Sequence, residues 1–249
     1  MQFARRGCQR QRDLENYHNA VYIFDAQNKK TQQVTNGFYN CGNPAFDEEG
    51  KYLYITTNQS YLPYYSDIDN SFIYANSTKL AVISLKKTTP SVIAPKNDTV
   101  AIKPGEAKAD DKKKDSTVKK LAVAGVEIDF DGIQSRMVIL PLPPGNYGNI
   151  AAAKGKIIYQ KFPATGSSPD DKTSLKYFDL DKREEKNILD NVDNYSISAN
   201  TQKLLVQRGN SFAVIKPDEG QKFEKPLRIN EMEMMVVLSF SFYYRFRFN

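Results

Sequence analysis

Tryptophan is absent from these 249 residues, histidine occurs once and cysteine twice. A hydrolase needs a nucleophile with a base within hydrogen-bond reach, and the usual base is histidine. The one histidine, His18, stands in NYHNAVYIF at the entrance to the first recognisable strand, where a turn or surface role is expected. Cys8 and Cys41 can pair at most once and lack the spacing of a zinc or redox pair, so they are read as unrelated thiols. No apolar run approaches the roughly 20 residues of a membrane helix, and MQFARRGCQRQRDLEN carries arginine without the apolar centre of a secretory signal. The expectation is a cytoplasmic protein with no membrane partner. Gly-x-Ser-x-Gly, His-Glu-x-x-His and phosphate-loop motifs are all missing. No catalytic, cofactor-binding or metal-ligating residue is assigned, and no cofactor is expected.

Acid is scarce where base is plentiful. The net charge is +6, yet residues 1–12 hold +4, the stretch Lys96 to Lys120 +3, and Arg245 with Arg247 +2, which leaves the body at −3. A charge confined to ends and one linker is not a binding face, and no basic strand interleaved with aromatics occurs, so no nucleic-acid partner is expected.

Helical periodicity is nearly absent as well, and what replaces it is a repeat. Phe-Asp opens three segments, at Phe24, Phe130 and Phe178. Each continues through a short strand and a loop with Tyr39, Tyr147 or Tyr195 to a turn followed by a strand: Gly50-Lys51 before YLYI, Gly155-Lys156 before IIYQ, Gln202-Lys203 before LLVQ. The distance from Phe to turn is 26, 25 and 24 residues. A further strand follows in each unit, LAVISL, LKYFDL or FAVIKP. Short strands separated by Asp, Asn and Gly turns and grouped four to a repeat point to propeller blades. YLYI, IIY and LLV are apolar on consecutive positions, as expected of strands covered on both faces. The fold class expected is all-β: a partial, open β-propeller of four-stranded antiparallel blades.

Two stretches interrupt the period. NQSYLPYYSDIDNSFIYANST (58–78) carries four tyrosines and Pro63 and is read as a compact loop packing its own aromatics on the propeller. The second, around KPGEAKADDKKKDSTVKK, has little apolar surface with which to offset the entropy of ordering, so it is expected to be a flexible excursion between blades. Brief trypsin treatment should therefore cut first between Lys103 and Lys120, followed by mass spectrometry of the fragments. First cuts inside Gly155 to Gln160 would mean that the strands are misplaced. The pairs Asp129/Asp131 and Asp179/Asp181 sit beside inter-strand turns and lack the spaced oxygens of a calcium loop, so turn chemistry explains them.

NPAFDEEGKYLYITTN resembles the Pro-x-Phe-x-x-Asp-Gly-Lys blade motif of TolB-type propellers, with Glu49 where that motif commonly has Asp. YSDIDNSFIYANST (65–78), VEIDFDGIQSRMVILPLPPGNYGNI (126–150) and KPLRINEMEMMV (225–236) are similar, in the same order, to the part of tricorn-like serine proteases that leads into their catalytic core. The resemblance runs from about Tyr17 to Val236. It implies a peptidase with two propellers, a PDZ domain and core domains, in which the matched second propeller controls passage of peptides. The family's Ser and His motifs lie downstream of the match, and no residue here corresponds to them. VVLSFSFYYRFRFN replaces the polar, helical start of the core domain, and the first 16 residues do not look like a blade.

The expected organisation is an atypical extension (1–16), blades (17–95, with the aromatic insertion at 58–78), a Lys-rich linker (96–125), blades (126–235) and an atypical tail (236–249). The leading functional reading is a non-catalytic fragment of a tricorn-like peptidase that gates peptides. The alternative is a free-standing TolB-like propeller acting as a protein-binding module, and an enzyme with its own channel site ranks third. Partners expected are peptides, the remaining domains of such a peptidase, and further copies of the chain through exposed blade edges.

Overall fold

The computed structural model describes residues 7–60, 63–66, 71–95, 126–224 and 226–227. Four antiparallel sheets follow one another along the chain. Blade I contains β1 (Gly7–Asp13), β2 (Asn19–Asp25) and β3 (Lys30–Gln33). Blade II contains β4 (Cys41–Phe46) and β5 (Tyr52–Thr57), then, after a small hairpin of β6 (Tyr64–Ser66) and β7 (Ser71–Ile73), β8 (Lys79–Ser84) and β9 (Met137–Ile139). Blade III is β10 (Asn146–Ala153), β11 (Lys156–Phe162), β12 (Ser174–Asp179) and β13 (Glu184–Asp190), and blade IV is β14 (Asn194–Ile197), β15 (Leu204–Arg208) and β16 (Ser211–Ile215). The only helical element among the described residues is a 3-10 turn, Ile133–Arg136, and no helix there is long and apolar enough to cross a membrane.

Alternation along each central strand sends neighbouring side chains to opposite faces, and in blades II and III both faces are covered. Leu53, Ile55, Ala81 and Ile83 pack with Val21 and Ile23 of blade I, whereas Tyr54, Leu80 and Val82 pack with Ile157, Tyr159 and Phe178 of blade III. Blade III turns Ile158, Leu175 and Tyr177 the other way, onto Leu204, Val206, Ala213 and Ile215 of blade IV. Three apolar layers thus lie between four successive blades, which is why the strand segments read as unbroken apolar runs.

Pairing registers make positions in different blades comparable. Ile83 opposite Leu53, Phe178 opposite Ile157 and Ile215 opposite Leu204 are equivalent, and all three face the preceding blade. Their exposures are 0, 1 and 7%, whereas Phe24, at the same place in blade I, is 37% exposed. The turn joining the first two strands of blades II, III and IV also repeats, with Gly50 (φ 69°), Gly155 (φ 69°) and Thr201 (φ 55°) in the left-handed region. A Cβ on Gly50 would lie 2.7 Å from Val126 Cγ2, so both conformation and space require glycine there.

The sequence places residues 1–16 outside the blades, yet Gly7–Asp13 forms β1, paired in register with β2 from Gly7 opposite Asp25 to Asp13 opposite Asn19. GCQRQRD has no apolar alternation by which it could be recognised. The aromatic insertion contains the β6–β7 hairpin. The Lys-rich segment 96–125 and the tail 236–249 lie outside the described residues. The excursion leaves and re-enters between β8 and β9, where Arg136 staples the two sides. Its guanidinium donates to the carbonyls of Ser84 (2.9 Å), Leu85 (3.3 Å), Asp131 (2.9 Å) and Asp129.

Candidate functional site

β4, β10 and β14 lead blades II, III and IV, and β10 packs against β4 as β4 packs against β1. The two ends of these leading strands carry different chemistry. Where β4 begins, a cleft of about 210 Å³ is lined by uncharged groups of Asn19, Asn40, Asn43, Thr56, Asn58 and Thr78, among others. Asn40 Oδ1 accepts from the Asn19 amide (2.9 Å), Asn43 Nδ2 donates to Thr56 Oγ1 (3.2 Å), and Thr78 Oγ1 donates to Asn58 Oδ1 (3.3 Å). Asn43 sits at a bulge in the left-handed region (φ 48°), and Asn149 repeats both features in β10. Amides and hydroxyls of this kind offer donors and acceptors to a peptide main chain without selecting charge.

At the opposite end the β4–β5, β10–β11 and β14–β15 turns converge. Two clefts of about 460 and 540 Å³ share Glu48, Ala153 and Lys154. Thr201 Oγ1 donates to Glu48 Oε1 at 2.5 Å, tying the turn of blade IV to that of blade II. Lys156 is held by Asp218 (2.9 Å) and the Pro217 carbonyl (3.0 Å) and lies 4.5 Å from the centre of the Tyr177 ring. Lys203 and Lys216 complete a lysine-rich wall of the larger cleft.

Between blades II and III a buried polar chain stiffens the sheet. Tyr159 is fully buried, its hydroxyl donates to Glu185 Oε1 (2.7 Å), and Glu185 Oε2 meets Lys176 Nζ at 2.8 Å. Burial, and then the adjacent Glu185 carboxylate, push the Tyr159 hydroxyl far up. Burial raises the Glu185 carboxyl, but hydrogen bonds from Lys176 and Tyr159 and the Lys176 charge outweigh it, so the group ends below the usual carboxylate range. Burial also pushes the Tyr147 hydroxyl up to about 12; its ring stands edge-on to Tyr159 at 5.5 Å. A carboxyl depressed by folding contributes stability above its unfolded pKa, and that contribution is lost as pH falls through the folded value. Wild type should therefore lose more stability than Glu185→Gln between about pH 5 and pH 3 in acid titrations followed by circular dichroism. Parallel acid profiles would show that the carboxylate contributes nothing.

His18 lies in the β1–β2 turn, its Nδ1 3.2 Å from the Gly37 carbonyl. Asp179 caps its own turn, as expected, whereas Asp129 and Asp131 reach across the excursion to Lys87. Asp179 Oδ1 accepts from the amides of Asp181 (3.0 Å) and Lys182 (2.9 Å), Asp129 Oδ2 accepts from the Lys87 amide (2.8 Å), and Asp131 pairs with Lys87 Nζ (2.6 Å). Cys41 is a buried free thiol that burial pushes up in pKa. Among the described residues no group of three or more His, Cys, Asp or Glu could hold a metal ion. Sequence reasoning passed over the Asn and Thr cleft and the lysine wall. The one available signal was the asparagine two residues after Cys41 and again two residues after Tyr147.

A family model described as "Tricorn protease second beta propeller domain" matches residues 10–218. The tricorn protease homolog 1 of Streptomyces coelicolor is 24% identical over 184 residues, covering 70% of this chain and 17% of that protein. The tricorn protease of Thermoplasma volcanium is 25% identical over 235 residues, covering 90% of this chain and 20% of the other. The crystal structure of the tricorn protease superposes with a TM-score of 0.59 at 18% identity, covering 89% of this chain and 21% of that one. The chain thus spans about a fifth or less of the length of these relatives. Successive antiparallel blades, of three, four, four and three strands, layered face to face in sequence order and matched by that family over most of their length, settle the assignment: this chain belongs to the tricorn protease second beta propeller domain family.

Proposed function

We propose that the chain is the non-catalytic, peptide-gating part of a tricorn-like peptidase, passing extended peptides along its leading strands to a catalytic core on other domains. The observation that carries this is the cleft of uncharged amides and hydroxyls where β4 begins, contributed by blades I, II and III. Such groups bond a main chain of any sequence, and their neutrality permits transit rather than capture. The remaining domains of the peptidase are its partners.

The test is a chimera in which this chain replaces the matching residues of the S. coelicolor tricorn protease homolog 1. Asn58→Trp, which narrows the cleft, should slow cleavage of a fifteen-residue peptide about tenfold or more while a tripeptide substrate is spared, because only the long chain must thread. Equal slowing of both would defeat the gating reading. The 249-residue chain alone should hydrolyse nothing in a fluorogenic peptide panel, since acyl transfer needs nucleophile, base and oxyanion donors together. Turnover abolished by His18→Ala would instead give the chain an active site of its own.

A further inference from the structure

Of the two clefts at the turn end, the smaller lies wholly between blades II and III, where Tyr52, Tyr54 and Leu180 line it together with Glu48, Lys154 and Asp181, among others. Both blades are packed against neighbours on either face, so this cleft belongs to the interior of the fold. Tyr54 is the residue that packing does not explain. Only 2% of it is exposed, yet its hydroxyl has no hydrogen-bond partner among the described residues. Tyr52, Tyr147, Tyr159 and Tyr195 each donate theirs to a carbonyl or a carboxylate, as buried tyrosines normally do. The layer itself asks for no hydroxyl at this place, since Ile158 holds the same register position in blade III. Burial, and then the Asp47 carboxylate, push the Tyr54 hydroxyl up, so it stays protonated.

Four carboxylates, Asp47, Glu48, Glu49 and Asp181, line the cleft against Lys51 and Lys154, which leaves it at −2. Asp47 is engaged by the amides of Lys51 (2.7 Å) and Tyr52 (2.9 Å), and Glu49 holds Lys51 at 2.6 Å. Glu48 Oε1 takes the Thr201 hydroxyl, but its Oε2 has no partner among the described residues. We propose that this cleft binds the side chain of an arginine or lysine in a peptide, its charged head between Glu48 and the Tyr54 hydroxyl and its aliphatic stem along Tyr52 and Leu180. A carboxylate gives a cationic head its strongest hydrogen bonds, an aromatic ring attracts it further, and apolar surface covers the stem. Tyr52 is fixed for this by its hydroxyl on the Pro90 carbonyl (2.9 Å). An anion fits less well, because Lys51 is held by Glu49 and Lys154 faces the negative excess alone. The volume of about 460 Å³ lies within the range of about 300–1,000 Å³ usual for ligand pockets. The proposal does not rest on peptide gating, since it concerns equilibrium binding at the other end of the leading strands.

The test is isothermal titration of the full chain with the blocked peptide acetyl-Ala-Ala-Arg-Ala-Ala-amide and its lysine, citrulline and glutamate counterparts. The arginine and lysine peptides should saturate one site below about 1 mM, and citrulline, which keeps the shape and removes the charge, should bind about fivefold more weakly or worse. Glu48→Gln keeps an acceptor for Thr201 and should weaken arginine binding about fivefold, whereas Lys154→Met should tighten it. Tyr54→Phe should weaken binding about threefold to tenfold while the urea midpoint stays level or rises, because the free protein loses no hydrogen bond. A purely structural hydroxyl would do the reverse, lowering the midpoint and leaving binding alone. Citrulline or glutamate peptides that bind as well as arginine, weakening by Lys154→Met, unchanged affinity in Tyr54→Phe, or an arginine peptide that saturates no site would each overturn the proposal. None of these results would alter the length-dependent cleavage expected of the chimera, so the two readings fail separately.

Discussion

Phe178→Ala should cost about 3–5 kcal/mol of folding stability, the range for emptying a buried aromatic site. Phe24→Ala should cost about 1 kcal/mol or less, as is usual for positions in contact with solvent. The two phenylalanines occupy the same register position of β12 and β2 and differ in what lies beyond them. Phe178 is 1% exposed and packed among Tyr54, Leu80 and Val82, whereas Phe24 is 37% exposed. Chain context is otherwise similar: each precedes an aspartate whose carboxylate caps the following turn, Asp25 for the amides of Gln27 and Asn28, Asp179 for those of Asp181 and Lys182. Urea unfolding of the two variants beside the wild type supplies both values. Equal costs would mean that the blade register is wrong or that blade I is covered by something else. A small cost at Phe178 would contradict the layered packing itself.

The same pair of residues shows how much of this architecture could be read in advance. Phe24 and Phe178 mark the ends of equivalent strands, as the repeat implies, and consecutive apolar residues announced strands covered on both faces. Phe130 does not fall at a strand end. It lies where the chain returns to blade II after the Lys-rich excursion and packs on the layer between blades I and II. An insertion within a hairpin shifts the recurring dipeptide without altering the fold, so the alignment survives while the position changes. β1 escaped notice for a different reason. Its edge position is fixed by main-chain pairing to β2, and main-chain hydrogen bonds leave no trace in side-chain patterning. The candidate site was the least legible part. Asn19, Asn40, Asn58 and Thr78 come from separate strands and loops, and nothing local in the sequence signals that two blades bring them together. The turn at Asp179 was legible because its carboxylate bonds its own neighbouring amides, a purely local interaction, whereas the bonds of Asp129 and Asp131 to Lys87 span more than 40 residues and leave no local signal.

Gln160→Leu should be the most damaging change to a polar side chain, at about 2–4 kcal/mol, because a buried group left without its partner costs about 1–3 kcal/mol. Gln160 is fully buried in β11. Its Nε2 donates to the carbonyls of Val192 (3.0 Å) and Asp193 (3.2 Å), the connection that leads into β14, and its Oε1 accepts from Asn149 Nδ2. Leucine keeps most of the volume, so the loss isolates the two stranded carbonyls and the stranded amide from any cavity effect. Gln207 holds the equivalent place in blade IV, opposite Phe212 as Gln160 is opposite Leu175. Its Nε2 reaches the nearby Gly209 carbonyl, at 3.0 Å, so Gln207→Leu should fall within about 0.5 kcal/mol of neutral. Amide exchange locates the damage, since loosening the connection should raise exchange in β14, β15 and β16 before it does so in β10 and β11. If Gln160→Leu left exchange in blade IV unchanged, the glutamine would not be what holds that blade to its neighbour, and the apolar layer of Leu175, Leu204 and Val206 would have to do so alone.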